Sequence, residues 1–253
     1  MTEPILQVAG LSKTFKRKGQ PDLTAVEGAT FGIMPGECVG LVGGSGSGKS
    51  TIAQMITRLL DPTSGTIMLN GRDVTSVCGG ELRAMAKDVQ MVFQNPVQSF
   101  DPRRTLGHGI AESLRNFGMD KREARNRAAG LLVRCGLPAD FVDRYPREVS
   151  GGQCQRAAIA RALAPNPPLI ICDEATSALD VTVQARIIEL LRDIRRERNT
   201  AYLFICHDMA LVQGFCDRVL VMQSGRIVEE GPALQVTTSP QHPYTRQLLA
   251  AVL

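Results

Sequence analysis

The residues Gly43-Gly44-Ser45-Gly46-Ser47-Gly48-Lys49-Ser50-Thr51 stand between an apolar run ending at Val42 and a helical pattern over Ile52 to Leu60. A strand, a glycine-rich loop and a helix in that order form a phosphate cradle, which commits the chain to an α/β layout. Gly43, Gly46 and Gly48 let the backbone bend until successive N–H groups converge on phosphate oxygens, and the helix N-terminus adds partial positive charge. Lys49 supplies a point charge at the β- and γ-phosphates, Ser50 a hydroxyl for Mg²⁺, and Ser45 and Thr51 further polar groups of the loop. The motif predicts a nucleoside triphosphate site.

The chain's 253 residues, 43% of them hydrophobic, suffice for one sizeable α/β domain with a smaller subdomain. A net charge of +4 is too small to imply nucleic-acid binding, and the runs Lys16-Arg17-Lys18 and Arg192 to Arg198 read as solvated faces. Seven scattered cysteines without a Cys-x-x-Cys pair read as free thiols in a reducing compartment. The N-terminus shows no signal-peptide pattern, and no run approaches the roughly 18 apolar residues of a membrane span. The expected location is cytoplasmic, with any membrane role coming through a partner.

Along the chain, Ile5 to Val8 and Leu23 to Ile33 read as strands, Pro35-Gly36-Glu37 as a turn, Thr66 to Leu69 as a strand, and Asn70-Gly71 as a hairpin dipeptide. Val89 to Phe93 is another expected strand. Residues 105–145 read mostly as helix, including Lys121 to Val133 with apolar Ala124, Ala128, Leu131 and Leu132. Further helices are expected over Gln153 to Leu163, Val181 to Glu197 and Met209 to Phe215, with strands over Leu169 to Cys172, Ala201 to Cys206, Arg218 to Gln223 and Arg226 to Glu229. This alternation predicts a mostly parallel sheet covered on both faces. The strand Leu169-Ile170-Ile171-Cys172 ends in Asp173-Glu174, placing two carboxylates at the sheet edge from which the phosphate loop springs. Asp173 suits Mg²⁺, and Glu174 suits a base that polarises water for in-line attack on the γ-phosphorus.

Val149-Ser150-Gly151-Gly152-Gln153 opens a helix with a serine and two glycines, an anion site with no strand of its own. Ser150 also reads as a plain helix cap, although a cap alone accounts for neither glycine. Together with the phosphate loop and the Asp-Glu strand end, this segment resembles the Leu-Ser-Gly-Gly-Gln signature of the ATP-binding-cassette ATPases of ABC transporters, with valine in first place. The resemblance runs from about Leu6 to about Glu230. It implies a P-loop NTPase with a mostly parallel core sheet, an N-terminal antiparallel β layer and an inserted helical subdomain. The implied divisions are 1–95 for the first part of the core, 96–153 for the helical subdomain, 154–230 for the second part of the core and 231–253 for a C-terminal extension.

The same resemblance implies that Ser150, Gly151, Gly152 and Gln153 grip the γ-phosphate bound to a second subunit, so that ATP closes a head-to-tail dimer. It implies that Gln94 reaches the metal and the attacking water, that His207 bonds the γ-phosphate, that Ser177-Ala178-Leu179-Asp180 crosses the dimer interface and that Phe15 stacks on adenine. Phe93-Gln94-Asn95-Pro96, Ser99-Phe100-Asp101-Pro102-Arg103 and the tail Ser239-Pro240-Gln241-His242-Pro243-Tyr244-Thr245-Arg246-Gln247-Leu248-Leu249 are similar to those of dipeptide, oligopeptide and nickel importer ATPases. The tail also reads as a proline-broken helix packing Leu248, Leu249 and Val252 on the core. The implied assembly sits peripherally on the cytoplasmic face of a bacterial inner membrane. It has ATP and Mg²⁺, a paralogous ATP-binding subunit or a second copy, two membrane permeases and, indirectly, an extracytoplasmic solute-binding protein. Pro96 to Arg104 are expected to dock a permease loop, with Phe100 and Arg103 as contacts. The alternative is a soluble cassette ATPase of a phosphonate-cleavage or DNA-repair assembly; the segment Asn95 to Gly107 argues against the first, and the absence of a coiled-coil or zinc insertion before Ser150 against the second.

Overall fold

A computed structural model describes residues 3–177 and 179–250 of the chain. The strands β1 (Leu6–Phe15) and β2 (Leu23–Ile33) pair antiparallel, and the chain then enters β3 (Cys38–Val42), buried at every position. After the phosphate loop come α1 (Lys49–Ile56), β4 (Ser64–Leu69) and β5 (Arg72–Asp73). Asn70 and Gly71, at φ 50° and 73°, turn β4 back on β5 as the dipeptide predicts. The order β2-β1-β4-β5 makes a four-stranded antiparallel layer.

Next follow α2 (Gly79–Met85), β6 (Val89–Val92), α3 (Leu106–Asn116), α4 (Lys121–Arg134) and α5 (Gly151–Leu163). The remainder is β7 (Leu169–Asp173), α6 (Val181–Arg198), β8 (Ala201–Ile205), α7 (Met209–Phe215), β9 (Arg218–Gln223), β10 (Arg226–Pro232), α8 (Ala233–Thr238) and α9 (Pro243–Ala250). A second sheet has the order β10-β9-β3-β8-β7-β6, parallel throughout except for the edge strand β10.

The two-residue period of the central strands divides the core in two. On β8, Ala201, Leu203 and Ile205 face the antiparallel layer, where they join Leu6, Ile33, Val39, Leu41, Ile52 and Ile67. Tyr202 and Phe204 face the other way, into a cluster with Ile110, Leu132, Leu163, Leu191 and Phe215. On α4 the buried residues are Ala124, Ala128, Leu131 and Leu132, the stripe that the spacing predicts, and the exposed remainder is charge-rich.

Several expected boundaries move. The helix after the phosphate loop ends at Ile56 rather than Leu60, because Arg58 turns left-handed at φ 57° and the N–H groups of Leu59 and Leu60 both fold back onto the Gln54 carbonyl. α5 starts two residues before the expected Gln153, since Ser150 caps it. α2 went unpredicted: it buries only Met85 and begins with two glycines, so it carries no apolar period. The tail breaks between α8 and α9 at Ser239 and Pro240, and Leu248 and Leu249 rest on the core; Val252 lies outside the described residues.

Phe100 corrects an expectation about the segment after Gln94. It is 5% exposed, its ring lies under the Arg161 guanidinium at 4.6 Å, and Arg161 also donates to the Ser99 carbonyl. Phe100 therefore anchors the segment to α5 and offers no surface to a partner, whereas Arg103 is exposed. All seven cysteines are free thiols, six of them buried and Cys78 exposed.

Candidate functional site

The phosphate loop is held open by backbone that only glycine can supply. Gly43 has φ 152° and a Cβ there would lie 2.1 Å from the Met222 carbonyl oxygen; Gly48 has φ 104° and its Cβ would lie 2.3 Å from that of Ala25. Gly48 also starts α1 without any side-chain cap, and the first turn holds no acidic residue. The N–H groups of that turn are thus left for an anion, with the helix dipole behind them.

Lys49 is 8% exposed, and its Nζ donates to the carbonyls of Gly43 at 2.8 Å and Gly44 at 2.9 Å. Burial pulls its pKa below the usual lysine range, an effect that the nearby Glu174 and Asp173 carboxylates only partly oppose. Asp173 ends β7 at 5% exposure and accepts from the Ser50 hydroxyl at 3.1 Å. Burial pushes its carboxyl upward and the neighbouring Glu174 adds to this, against the Ser50 hydrogen bond and Lys49. A buried carboxylate beside a hydroxyl, short of balancing positive charge, is a hard-oxygen donor set. It fits Mg²⁺, which takes few protein ligands and completes its shell with phosphate and water.

Glu174 follows with φ 49°, a left-handed conformation that a residue with a Cβ adopts only at a cost of about 1–3 kcal/mol. The turn is fixed by the Glu174 N–H, which donates to the Ile205 carbonyl of β8, and by the Ser177 hydroxyl, which donates to the Glu174 carbonyl at 2.9 Å. It aims the carboxylate away from the strand line and into the site. One oxygen accepts from Gln94 Nε2 at 2.6 Å; the other lies 4.0 Å from His207 Nδ1.

These groups line one cavity of about 540 Å³. Phe15, Gly43, Ser45, Gly46, Gly48, Lys49, Ser50, Thr51, Gln94, Glu174 and His207 all border it, and Asp173 sits behind Ser50. Leu23, Ala25 and Ser47 border it too, although sequence reasoning passed over them. Leu23 pairs directly with Phe15 across β1 and β2, so the register of that hairpin was the signal that would have found it.

Ser150, Gly151, Gly152, Gln153 and Asp180 are not part of this cavity. Ser150 caps α5 in a reciprocal pair: its Oγ accepts from the Gln153 N–H at 3.3 Å, and its own N–H donates to Gln153 Oε1 at 2.8 Å. Asp180 caps α6 by accepting from the Val183 N–H at 2.9 Å. Ala178, in the expected interface loop, lies outside the described residues.

Comparison with known proteins supplies the family and the fold relatives. The family model described as "ABC transporter" matches residues 26–177. The glutathione import ATP-binding protein GsiA of Salmonella paratyphi A (strain ATCC 9150 / SARB42) is 50% identical over 99% of this chain, and that of Escherichia coli (strain K12) 49% identical over the same share. The chain spans 41% of the length of these relatives. Among solved structures, the ATP-binding cassette MJ0796, a dimer in a post-hydrolysis state bound to ADP and Pi, superposes with TM-score 0.85 at 30% identity, covering 90% of this chain and 98% of that one. The cbiO1 protein of Clostridium perfringens, part of the ABC transporter complex cbiONQ, gives TM-score 0.78 at 28% identity, covering 93% and 91%. The phosphate loop, the paired carboxylates and the capped glycine signature thus occur together in a fold shared along nearly its whole length with known cassettes, and the chain belongs to the ABC transporter family.

Proposed function

We propose that this chain is the ATP-binding and ATP-hydrolysing subunit of a bacterial importer for peptides or chelated nickel, and that nucleotide-driven dimer closure powers transport. The observation that carries the reading is the convergence of Lys49, Ser50, Gln94, Glu174 and His207 on one cavity while the signature at Ser150 stands apart from it. We read a signature outside its own cavity as serving another subunit's nucleotide, and the dimeric state of the MJ0796 cassette with ADP and Pi supports that use.

In this reading the loop N–H groups and Lys49 hold the β- and γ-phosphates, and Phe15 meets the base. Ser50, Asp173 and Gln94 would hold Mg²⁺, which when bound supplies charge neutralisation at the phosphates. Glu174 accepts a proton from the attacking water, Gln94 orients its carboxylate, and His207 donates a hydrogen bond towards the γ-phosphate. The partner's Ser150, Gly151, Gly152 and Gln153 close the site, with Asp180 at the interface, so hydrolysis and reopening are linked. We also assign 1–95 and 154–230 to the nucleotide-binding core, 96–153 to a helical lobe and 231–253 to an extension.

Coupling to membrane subunits is served by a groove of about 380 Å³ beside Gln94, where Leu59, Leu82, Met85 and Phe93 form an apolar floor. Leu59 is 60% and Leu82 38% exposed, and both border this one groove, so their apolar surface is presented together. Among the described residues no helix is long and apolar enough to cross a membrane. In the proposed assembly the chain meets the bilayer through permeases at its cytoplasmic face. The relatives' name, glutathione import, makes a tripeptide the first cargo to try. Cells whose only copy carries Lys49→Ala are expected to lose uptake of labelled glutathione, dipeptide or nickel; normal uptake of all three would overturn the importer reading.

A further inference from the structure

The residue with the longest reach into the phosphate loop comes from the tail. Tyr244, on α9, receives at its hydroxyl a hydrogen bond of 2.8 Å from the Gly44 N–H, across a separation of 200 residues. Gly44 leaves the hydroxyl just enough room, since a Cβ there would lie 3.1 Å from it. On the other side of the loop, the Gly225 N–H of the β9–β10 turn donates to the Ser47 carbonyl at 3.0 Å. The loop is thereby gripped from two sides by the C-terminal part of the chain.

The tail is itself firmly seated. Glu229 of β10 accepts from the N–H groups of Gln241 at 2.7 Å and His242 at 3.0 Å. The Tyr244 N–H donates to His242 Nδ1 at 3.2 Å, Thr245 is fully buried, and Tyr244, Leu248 and Leu249 pack on the core. The hydroxyl is therefore a fixed point, and the Gly44 N–H is pinned to it.

We propose that Tyr244 is a positioning residue for nucleotide binding, one that preorganises the phosphate loop without touching the nucleotide. A glycine-rich loop loses much conformational freedom when it closes on phosphate; a tether that fixes Gly44 beforehand removes part of that loss from the binding step. The inference rests on the reading of residues 43–51 as the nucleotide cradle.

The test uses the full chain and measures the affinity for ATP by displacement of a fluorescent ATP analogue, beside thermal unfolding. Tyr244→Phe keeps the ring on the core and removes only the hydroxyl, so ATP Kd should rise about three- to tenfold, the worth of one hydrogen bond. The melting temperature should stay within a few degrees, and in turnover KM should rise with kcat held within twofold. Gly44→Ala, which crowds the hydroxyl, should weaken ATP binding less in the Tyr244→Phe background than in the wild type. An unchanged Kd for Tyr244→Phe, or full additivity of the two substitutions, would overturn the inference. Lys49→Ala in the same assay separates the levels: if it loses ATP while Tyr244→Phe does not, only the tyrosine inference fails, and if it binds ATP normally the cradle reading fails and takes this one with it.

Discussion

Glu174→Gln isolates the charge of the carboxylate from everything else that Glu174 does. Glutamine matches it in shape, and both residues bear the same strain at φ 49°, so the backbone contribution cancels between the two proteins. The 2.6 Å bond from Gln94 changes from charge-assisted to neutral, a loss of about 1 kcal/mol. Against that, Glu174 is one of the groups that raise the buried Asp173 carboxyl, and its neutralisation relieves that repulsion. Stability should therefore change by less than about 1 kcal/mol. Hydrolysis should fall about 10²- to 10⁴-fold, the range for loss of a general base and equivalent to about 3–5 kcal/mol of barrier. Phosphate release under Mg-ATP gives the rate, and light scattering, with the paralogous subunit added where one is required, gives the size; the variant should bind ATP and accumulate a closed dimer. Glu174→Gly removes strain and side chain together, so it should be as slow but more stable to denaturant. A glutamine variant that turns over within tenfold of wild type would refute the assignment of Glu174 as base, because nothing else in the substitution is large enough to be masked.

Phe100→Ala should lower stability by about 3–5 kcal/mol in chemical denaturation, as expected for deleting a ring that is 5% exposed and covered by Arg161; a loss below about 1 kcal/mol would show that the segment after Gln94 is not anchored through this residue. Leu59→Asp combined with Leu82→Asp should abolish cargo uptake in cells while the purified chain keeps its ATP affinity, since both leucines border the groove beside Gln94 and neither borders the nucleotide cavity. Unchanged uptake would remove the groove as the docking place for a membrane subunit.

What the sequence made readable was whatever the chain encodes over short distances. The phosphate loop, Asn70-Gly71 and the Ser150 cap are each set by neighbours a few residues away, and each is found where expected. The exceptions were set by distant contacts or by absent patterns. α2 buries one residue and so leaves no period to read. Phe100, in a polar, proline-containing stretch, owes its burial to Arg161 on α5. Tyr244 meets Gly44 only once β9, β10 and the tail have folded beside the loop.

The order of the sheet explains why the proposed catalytic groups meet at all. The phosphate loop, Gln94, Glu174 and His207 follow β3, β6, β7 and β8, and in the sheet these strands run β3-β8-β7-β6. All four are parallel, so every following segment leaves from one edge, about 5 Å from its neighbour. β7 lies between β6 and β8, which sets Glu174 between Gln94 and His207 and accounts for its contacts at 2.6 Å and 4.0 Å. β8 is the last of the three that follow the loop in sequence, after β6 and β7, yet it inserts next to β3 and pushes Glu174 one strand further from the loop. The offset puts β8 between the strand that precedes the phosphate loop and the strand that ends in Asp173, so in the proposed mechanism the phosphate cradle and the base come from strands two spacings, about 10 Å, apart.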